Sequence, residues 1–308
     1  MKIYFNEKPK GSAWGGGNHV LLSLVQFLKK KGYQIVFKLE KELDLIFIQA
    51  NSKVRYKERI KPLFKYKKKH PNVKILHRIN VSDISKNTSD MNDLVLNTNS
   101  LADDTIFISR WLADYYIENG FDRSYHVIYN GCNRNYFYPL KEKILEDPIR
   151  LVTHHWSDNW MKGFDIYTKL DELIEKRDDM TFTYIGRYNK NYNPKNTKLI
   201  PPLYGKELGD ELRKYDIYLT AARWEACGMH HIEGACCGLP VLYHSEGGGV
   251  NESCQNYGIE YNNVENLIEC IYKLKESYQE FREKITYDFL SSERCNEEYY
   301  KVIQEMFE

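Results

Sequence analysis

Two acidic residues eight positions apart, Glu225 and Glu233, stand in the stretch Arg223-Trp-Glu-Ala-Cys-Gly-Met-His-His-Ile-Glu-Gly-Ala-Cys-Cys-Gly-Leu-Pro-Val241. The small residues after Gly228 predict a helix ending near Gly238, with Pro240 as the stop. A helix start leaves N–H groups unpaired, and those of Gly228, Met229 and His230 point toward the space beside Glu225. Such an end binds anions, phosphate above all. At ~1.5 Å of rise per residue, Glu233 lies roughly 6–8 Å further along. A ligand with a central diphosphate and a hydroxyl-bearing ring on either side suits this layout, one carboxylate serving each ring. Sugar–diphosphate–ribose has that order. The same two glutamates also fit an ordinary α/β crossover, and the neighbouring residues decide between the readings.

The elements that position these groups are a strand on either side. Tyr215–Thr220 is an apolar run ahead of the loop, and Val241–Tyr243 is a short strand after it. In parallel sheets ligands sit where strands end and helices begin. A second such entrance follows the strand Ile149–Thr153, where Lys162-Gly163 opens a helix over Phe164–Lys176 and places an ammonium beside it. A third is Gly11-Ser-Ala-Trp-Gly-Gly-Gly-Asn-His19, a loop between the strand Lys2–Phe5 and a helix with Val20, Leu21, Leu24, Phe27 and Leu28 on one face. Gly15, Gly16 and Gly17 do not have the spacing of a dinucleotide fingerprint or a P-loop, so alone they fit a tight turn.

Glu, Gly three residues on, Glu eight on, a small-residue helix and Gly-Leu-Pro-Val together resemble the signature of family 4 retaining glycosyltransferases. The resemblance implies a GT-B fold, two Rossmann-like α/β/α domains facing each other across a cleft. It implies transfer of a sugar from a nucleotide-diphosphate sugar to an acceptor hydroxyl of a glycan, lipid or protein, with retained anomeric configuration and no metal or other cofactor. By that resemblance Glu225 holds the transferred sugar, Glu233 the ribose and Lys162 the diphosphate. The amides of Gly228, Met229 and His230 and the glycines Gly15, Gly16 and Gly17 face the donor. Gly205, in Leu203–Leu212, belongs to the loop and helix whose backbone meets the base, and Glu246–Glu252 matches the glycine turn flanking the donor. His77 ends the strand Val73–Leu76 and is expected to point into the cleft; a lone histidine there also fits a structural hydrogen-bonder, whereas the resemblance implies a place near the donor sugar. Arg78, Asn80 and Asp83 follow in a polar stretch expected to shape the acceptor pocket. The family usually supplies an arginine shortly before Lys162, but Asp158, Asn159 and Trp160 stand there. Arg187, Arg223 or His155 would substitute, with Arg187 preferred because it follows the strand Thr181–Gly186.

A chain of 308 residues has room for two domains. The expected division is 1–140, a nucleotide-sugar domain over 141–290, and a helix over 291–308 that returns to the first. Strands at Gln34–Phe37, Leu43–Ile48, Val73–Ile79 and Asp104–Ser109 alternate with helices, as in a parallel sheet. Ile128–Cys132 and Phe137–Pro139 resemble the segment that closes the first domain, and the charged residues Lys141–Pro148 read as a linker. Seven scattered cysteines, an odd number, fit a reducing compartment, and no signal peptide is visible, which predicts a cytoplasmic location. Net charge near zero argues against a nucleic-acid partner. Lys53–Lys69 concentrates nine cations against one acid, interleaved with Tyr56, Ile60, Leu63 and Phe64. Such a segment is either a solvated face or a peripheral contact with an anionic membrane.

Other chemistries fit less well. Cys227, His230, His231, Cys236 and Cys237 carry no metal-ligand spacing, and a helix scatters them over different faces. No Asp-x-Asp pair is present to hold a divalent cation. A hydrolase using Glu225 and Glu233 as an acid/base pair would waste the phosphate-friendly helix end and the lysine. A nucleotide-sugar epimerase of the same architecture, or a protein that only binds nucleotide sugars, remains as the alternative.

Overall fold

The computed structural model describes residues 1–12, 14–50 and 53–308, with the side chains of 53–55 excepted. Ala13 of the glycine-rich loop and the side chains of Lys53 and Arg55 in the basic segment therefore lie outside the described residues. The chain divides into two compact units, one made of 1–11, 17–130 and 293–308, the other of 12–16 and 131–292.

The first unit is built on six parallel strands: β1 (Lys2–Phe5), β2 (Gln34–Val36), β3 (Leu45–Gln49), β4 (Lys74–Ile79), β5 (Asp104–Phe107) and β6 (His126–Val127), in the order β2-β1-β3-β4-β5-β6. β3 is buried at every position, as a central strand of a parallel sheet covered on both faces must be. The first helix, Gly16–Lys30, turns Val20, Leu21, Leu24 and Leu28 inward and ends on Lys29 and Lys30, where the dipole favours cations. It starts earlier than the glycine content predicts, taking in Gly16 and Gly17. First-turn amides need no intrahelical partner, and Asn18 fastens this end by exchanging hydrogen bonds of 2.7 and 2.8 Å with the Lys10 backbone. The basic helix Lys53–Lys69 buries Tyr56, Ile60, Leu63 and Tyr66. The last helix, Ser292–Glu305, contributes Tyr299, whose hydroxyl accepts from Arg78 at 2.8 Å.

The second unit has its own parallel sheet: β7 (Ile149–His155), β8 (Met180–Gly186), β9 (Lys198–Ile200), β10 (Ile217–Thr220), β11 (Val241–His244) and β12 (Gly258–Tyr261). Their order is β12-β11-β10-β7-β8-β9. Counted within the unit, this is the doubly wound order 3-2-1-4-5-6, and its direction reverses between β7 and β10. The helix Phe164–Ile174 packs Phe164, Tyr167, Leu170 and Ile174 against this sheet at helical spacing. The edge strands β9 and β12 carry no apolar run or alternation marking them in the sequence. Two α/β units with parallel sheets confirm the expected fold class. Residues 131–140 go with the second unit, whereas the charged stretch suggests a division after 140. Arg213 donates to the Tyr136 carbonyl at 2.8 Å, and Cys132 donates its N–H to Leu290 at 2.9 Å, which ties this segment to the later chain.

Candidate active site

In a doubly wound sheet a crevice opens at the carboxyl ends of the strands where the winding reverses. Here those strands are β7 and β10, and the charged groups of the second unit gather just after them. β7 leads through a 3₁₀ turn, Trp160–Lys162, into Gly163 and the helix Phe164–Ile174. Gly163 takes a left-handed φ of 92°, and a Cβ there would stand 2.2 Å from the Ala221 side chain and 2.3 Å from its carbonyl. Only glycine lets the turn lie against the end of β10.

After β10 the chain passes through Trp224, a non-glycine residue at φ 50°. Positive φ at a bulky side chain is a strained state held by its surroundings. The clamp is visible: Trp224 donates its N–H to the Glu246 carbonyl at 2.7 Å, Glu225 donates to Gly247 at 3.1 Å and Gly249 donates to Glu225 at 2.9 Å. The Glu246–Glu252 turn thus fixes the loop that presents Glu225. Lys162 donates from Nζ to Glu225 Oε2, so the two residues assigned to diphosphate and sugar meet. Both are about one-fifth exposed, so the pair faces an opening rather than the core.

Gly228 caps the helix Met229–Cys236 with extended backbone, and no side chain among the described residues caps that end. A Cβ at Gly228 would lie 2.4 Å from the His230 ring and 3.0 Å from Glu225 Cγ, so a larger residue would intrude on the space beside the carboxylate. One turn along, Glu233 is buried, and His154 at the end of β7 approaches its Oε2 with Nε2 at 2.8 Å. His230 is buried and turned to Thr220, its Nε2 2.9 Å from Oγ1. Burial, and then the neighbouring histidines and Lys162, hold His230 well below its ordinary pKa, so the ring is neutral. Both ring nitrogens of His231 are buried without a hydrogen-bond partner among the described residues, and burial lowers its pKa to about 4.

Of the three substitutes for the missing cation, two are committed elsewhere. Arg223 grips both oxygens of Asp165 at 2.9 and 2.7 Å and reaches Glu246 at 3.2 Å. Burial alone would raise Asp165, but the hydrogen bonds and charge of Arg223 overcome it and hold the carboxyl below its usual range. His155 is buried against Tyr167 at 3.1 Å, and burial followed by the charge of Lys162 keeps it neutral. Arg187 is about half exposed, lies 5.4 Å over the Trp156 ring and is paired with Asp158 at 3.1 Å. Asp158 is one of the residues standing where the family pattern has its arginine.

The glycine-rich loop is partly in this unit. Trp156 lies 3.7 Å from a Cβ built on Gly15, and one on Gly16 would meet the Met229 side chain at 2.5 Å. Gly17 belongs to the first unit, its carbonyl accepting from Gln49 at 3.2 Å. Gly205 starts the helix Gly205–Leu212 at φ 57°, next to the Tyr136 ring at 3.7 Å from a built Cβ.

His77 requires a correction. It does not end a strand, because β4 continues through Arg78 and Ile79, paired with Gln49 of β3 and Phe107 of β5. Its ring is wholly buried in the first unit, with Tyr56 Oη 2.8 Å from Nε2 and Asn99 Nδ2 3.2 Å from Nδ1. Burial lowers its pKa to about 3, so it is a neutral core group. Arg78 is likewise inside β4, buried among neutral acceptors: Tyr299, Gln49 and Asn130 at 2.7–2.8 Å. Asp83 staples its own loop, accepting from the amides of Met91 and Asn92 at 2.9 and 3.0 Å.

Residues 161–288 match the family model described as glycosyl transferases group 1. The matched segment runs from the Lys162 turn past Glu225 and Glu233. Sucrose-phosphate synthase from Thermosynechococcus elongatus has a similar structure, with TM-score 0.74 at 13% identity over 100% of this chain and 99% of the other. HepE of Anabaena, solved with UDP and glucose, gives 0.73 at 15% identity over 99% and 100%. A Listeria monocytogenes chain named as a UDP-N-acetylglucosamine 2-epimerase gives 0.61 at 15% over 99% and 96%. No curated protein matches the chain. The neighbours establish the GT-B-type fold. The matched segment is a glycosyltransferase group 1 domain, and the protein is a glycosyltransferase enzyme.

Proposed function

We propose that the enzyme is a family 4-type retaining glycosyltransferase that takes a sugar from a nucleoside-diphosphate donor and passes it to an acceptor hydroxyl without a metal ion. The observation that carries this reading is the meeting of Lys162 and Glu225 at the amino end of the helix that also bears Glu233. Before donor binding each charge neutralises the other. An arriving diphosphate takes the ammonium, and the hydroxyls of its sugar donate to the released carboxylate. As the bond to the diphosphate breaks, Lys162 and the amides of Gly228, Met229 and His230 stabilise the growing negative charge. Arg187 supplies a second cation by leaving Asp158. Preorganised donors of this kind each lower a barrier by ~3–4 kcal/mol. Retention follows if the acceptor enters on the face the diphosphate leaves, with the leaving phosphate taking the acceptor proton. HepE, solved with UDP and glucose, supports a nucleotide-sugar donor.

The decisive experiment incubates the protein with UDP-, GDP-, TDP- and ADP-sugars, with and without candidate acceptors, and follows nucleoside diphosphate release. Release that depends on acceptor, an α-linked product from an α-linked donor and persistence in EDTA are the expected results. Epimerisation of the free nucleotide sugar would favour the epimerase reading, which the Listeria neighbour keeps in view. Failure of every donor to bind would remove the proposal altogether.

The basic helix supports a further part of this reading, a peripheral seat on an anionic membrane surface beside a lipid-linked acceptor. With Tyr56, Ile60, Leu63 and Tyr66 buried, the opposite face exposes Lys57, Lys61, Lys65 and Lys68 around Phe64. Among the described residues no helix is long and apolar enough to cross a membrane. All seven cysteines are buried free thiols, which suits a reducing compartment such as the cytoplasm. Each basic residue near such a surface contributes ~1 kcal/mol. Replacing the four lysines with glutamine is therefore expected to weaken co-sedimentation with phosphatidylserine-containing vesicles by about 10²–10³-fold. Equal sedimentation of the two proteins would count against the membrane seat.

A further inference from the structure

We infer that His154 is a positioning residue, one that holds the Glu233 carboxylate in the orientation that selects a nucleotide with an intact ribose. The inference rests on the assignment of Glu233 to the ribose. Three elements converge on this carboxylate. His154 is the penultimate residue of β7, Tyr218 lies in β10 and Glu233 lies in the helix after β10, so the group spans the strand pair where the winding reverses. His154 Nε2 stands 2.8 Å from Glu233 Oε2, and its Nδ1 stands 3.1 Å from the Tyr218 hydroxyl. The His154 backbone N–H donates to that same hydroxyl at 3.0 Å. A tautomer assigned from these partners has Nε2–H donating to the carboxylate and the Tyr218 hydroxyl donating to Nδ1.

The Tyr218 ring also sets the height of the helix. A Cβ on Gly234 would lie 2.2 Å from this ring, so the glycine next to Glu233 rests directly on it. One tyrosine therefore fixes both the imidazole behind the carboxylate and the backbone that carries it. His154 and Glu233 are 8% and 4% exposed, and a carboxylate that deep needs a fixed donor. A carboxylate offers about four acceptor directions. The imidazole N–H therefore pins its rotation.

The test compares ribose with dideoxyribose on each variant. Calorimetric affinities are measured for UDP, GDP and ADP and for their 2′,3′-dideoxy counterparts. The wild type is expected to favour the ribose form of the nucleotide it binds by about 10- to 100-fold, as hydrogen bonds to a charged group do. His154→Leu is expected to reduce that preference to less than about 3-fold while leaving the affinity for the dideoxy form unchanged. His154→Gln, whose amide donor reaches close to the position of Nε2, is expected to restore it. An equal loss for both nucleotide forms marks a merely structural histidine and overturns the inference, as does an unaltered preference in His154→Leu. Should that variant not fold, Tyr218→Phe keeps the ring under Gly234 and removes only the hydroxyl. A wild-type preference in Tyr218→Phe would overturn the inference equally. Absence of any ribose preference in the wild type refutes instead the assignment of Glu233, a separate result.

Discussion

Lys162→Ala is expected to slow donor cleavage by about 10²–10³-fold, the usual loss when one preorganised donor to a developing oxyanion is removed. Glu225→Gln is expected to fall as far, because in the proposed function its carboxylate orients the sugar. The two effects will not add. Lys162 and Glu225 are hydrogen-bonded to each other, and each single change removes that partner from the other charge. The double variant should therefore be less impaired than the product of the single losses, with a coupling of about 0.5–3 kcal/mol. Single-turnover release of nucleoside diphosphate measures all three proteins. Full turnover in both single variants would show that the chemistry lies elsewhere.

Gly163→Ala is expected to destabilise the second unit by roughly 3–5 kcal/mol, the sum of a left-handed backbone penalty and overpacking. The alanine methyl would press into Ala221 at 2.2 Å from its Cβ, in a residue held at φ 92°. For a unit of this size that corresponds to a fall of roughly 6–20 °C in its melting temperature. Gly120 supplies the control, since it has nearly the same φ of 95° with nothing among the described residues within 4 Å of a built Cβ. Gly120→Ala should cost only about 1–2 kcal/mol of backbone strain. Calorimetry that ranks the two substitutions equally would refute the close approach. Activity is expected to follow, because Gly163 caps the 3₁₀ turn that carries Lys162.

What the sequence displays most clearly is local. The strand before Glu225, the small-residue helix and its stop at Gly238–Pro240 follow from patterns within about twenty residues, and the structure has them as a strand Ile217–Thr220 and a helix Met229–Cys236. Pairings made over long separations left no such trace. Arg223 looks like an available cation until Asp165, 58 residues earlier, is seen to hold it. His154 stands next to His155 in a loop-like stretch, and nothing in the chain marks which of them meets Glu233, 79 residues on. The one usable sign is position, since His154 and His155 close the first strand of the second unit. His77 misled for a related reason. Its strand continues because its neighbours pair with two other strands, a tertiary fact that overrides the polar look of Arg78.

Four of the five tryptophans, Trp14, Trp156, Trp160 and Trp224, lie in the second unit, all within the loops that carry or adjoin Lys162, Arg187 and Glu225. Trp14 and Trp156 sit 5.5 Å apart, and the Arg187 guanidinium rests over the latter ring. A donor that draws Arg187 away from Trp156 would change the surroundings of an indole. Intrinsic fluorescence would thus supply a label-free optical titration of occupancy, with Trp156→Phe silencing the largest part of the signal.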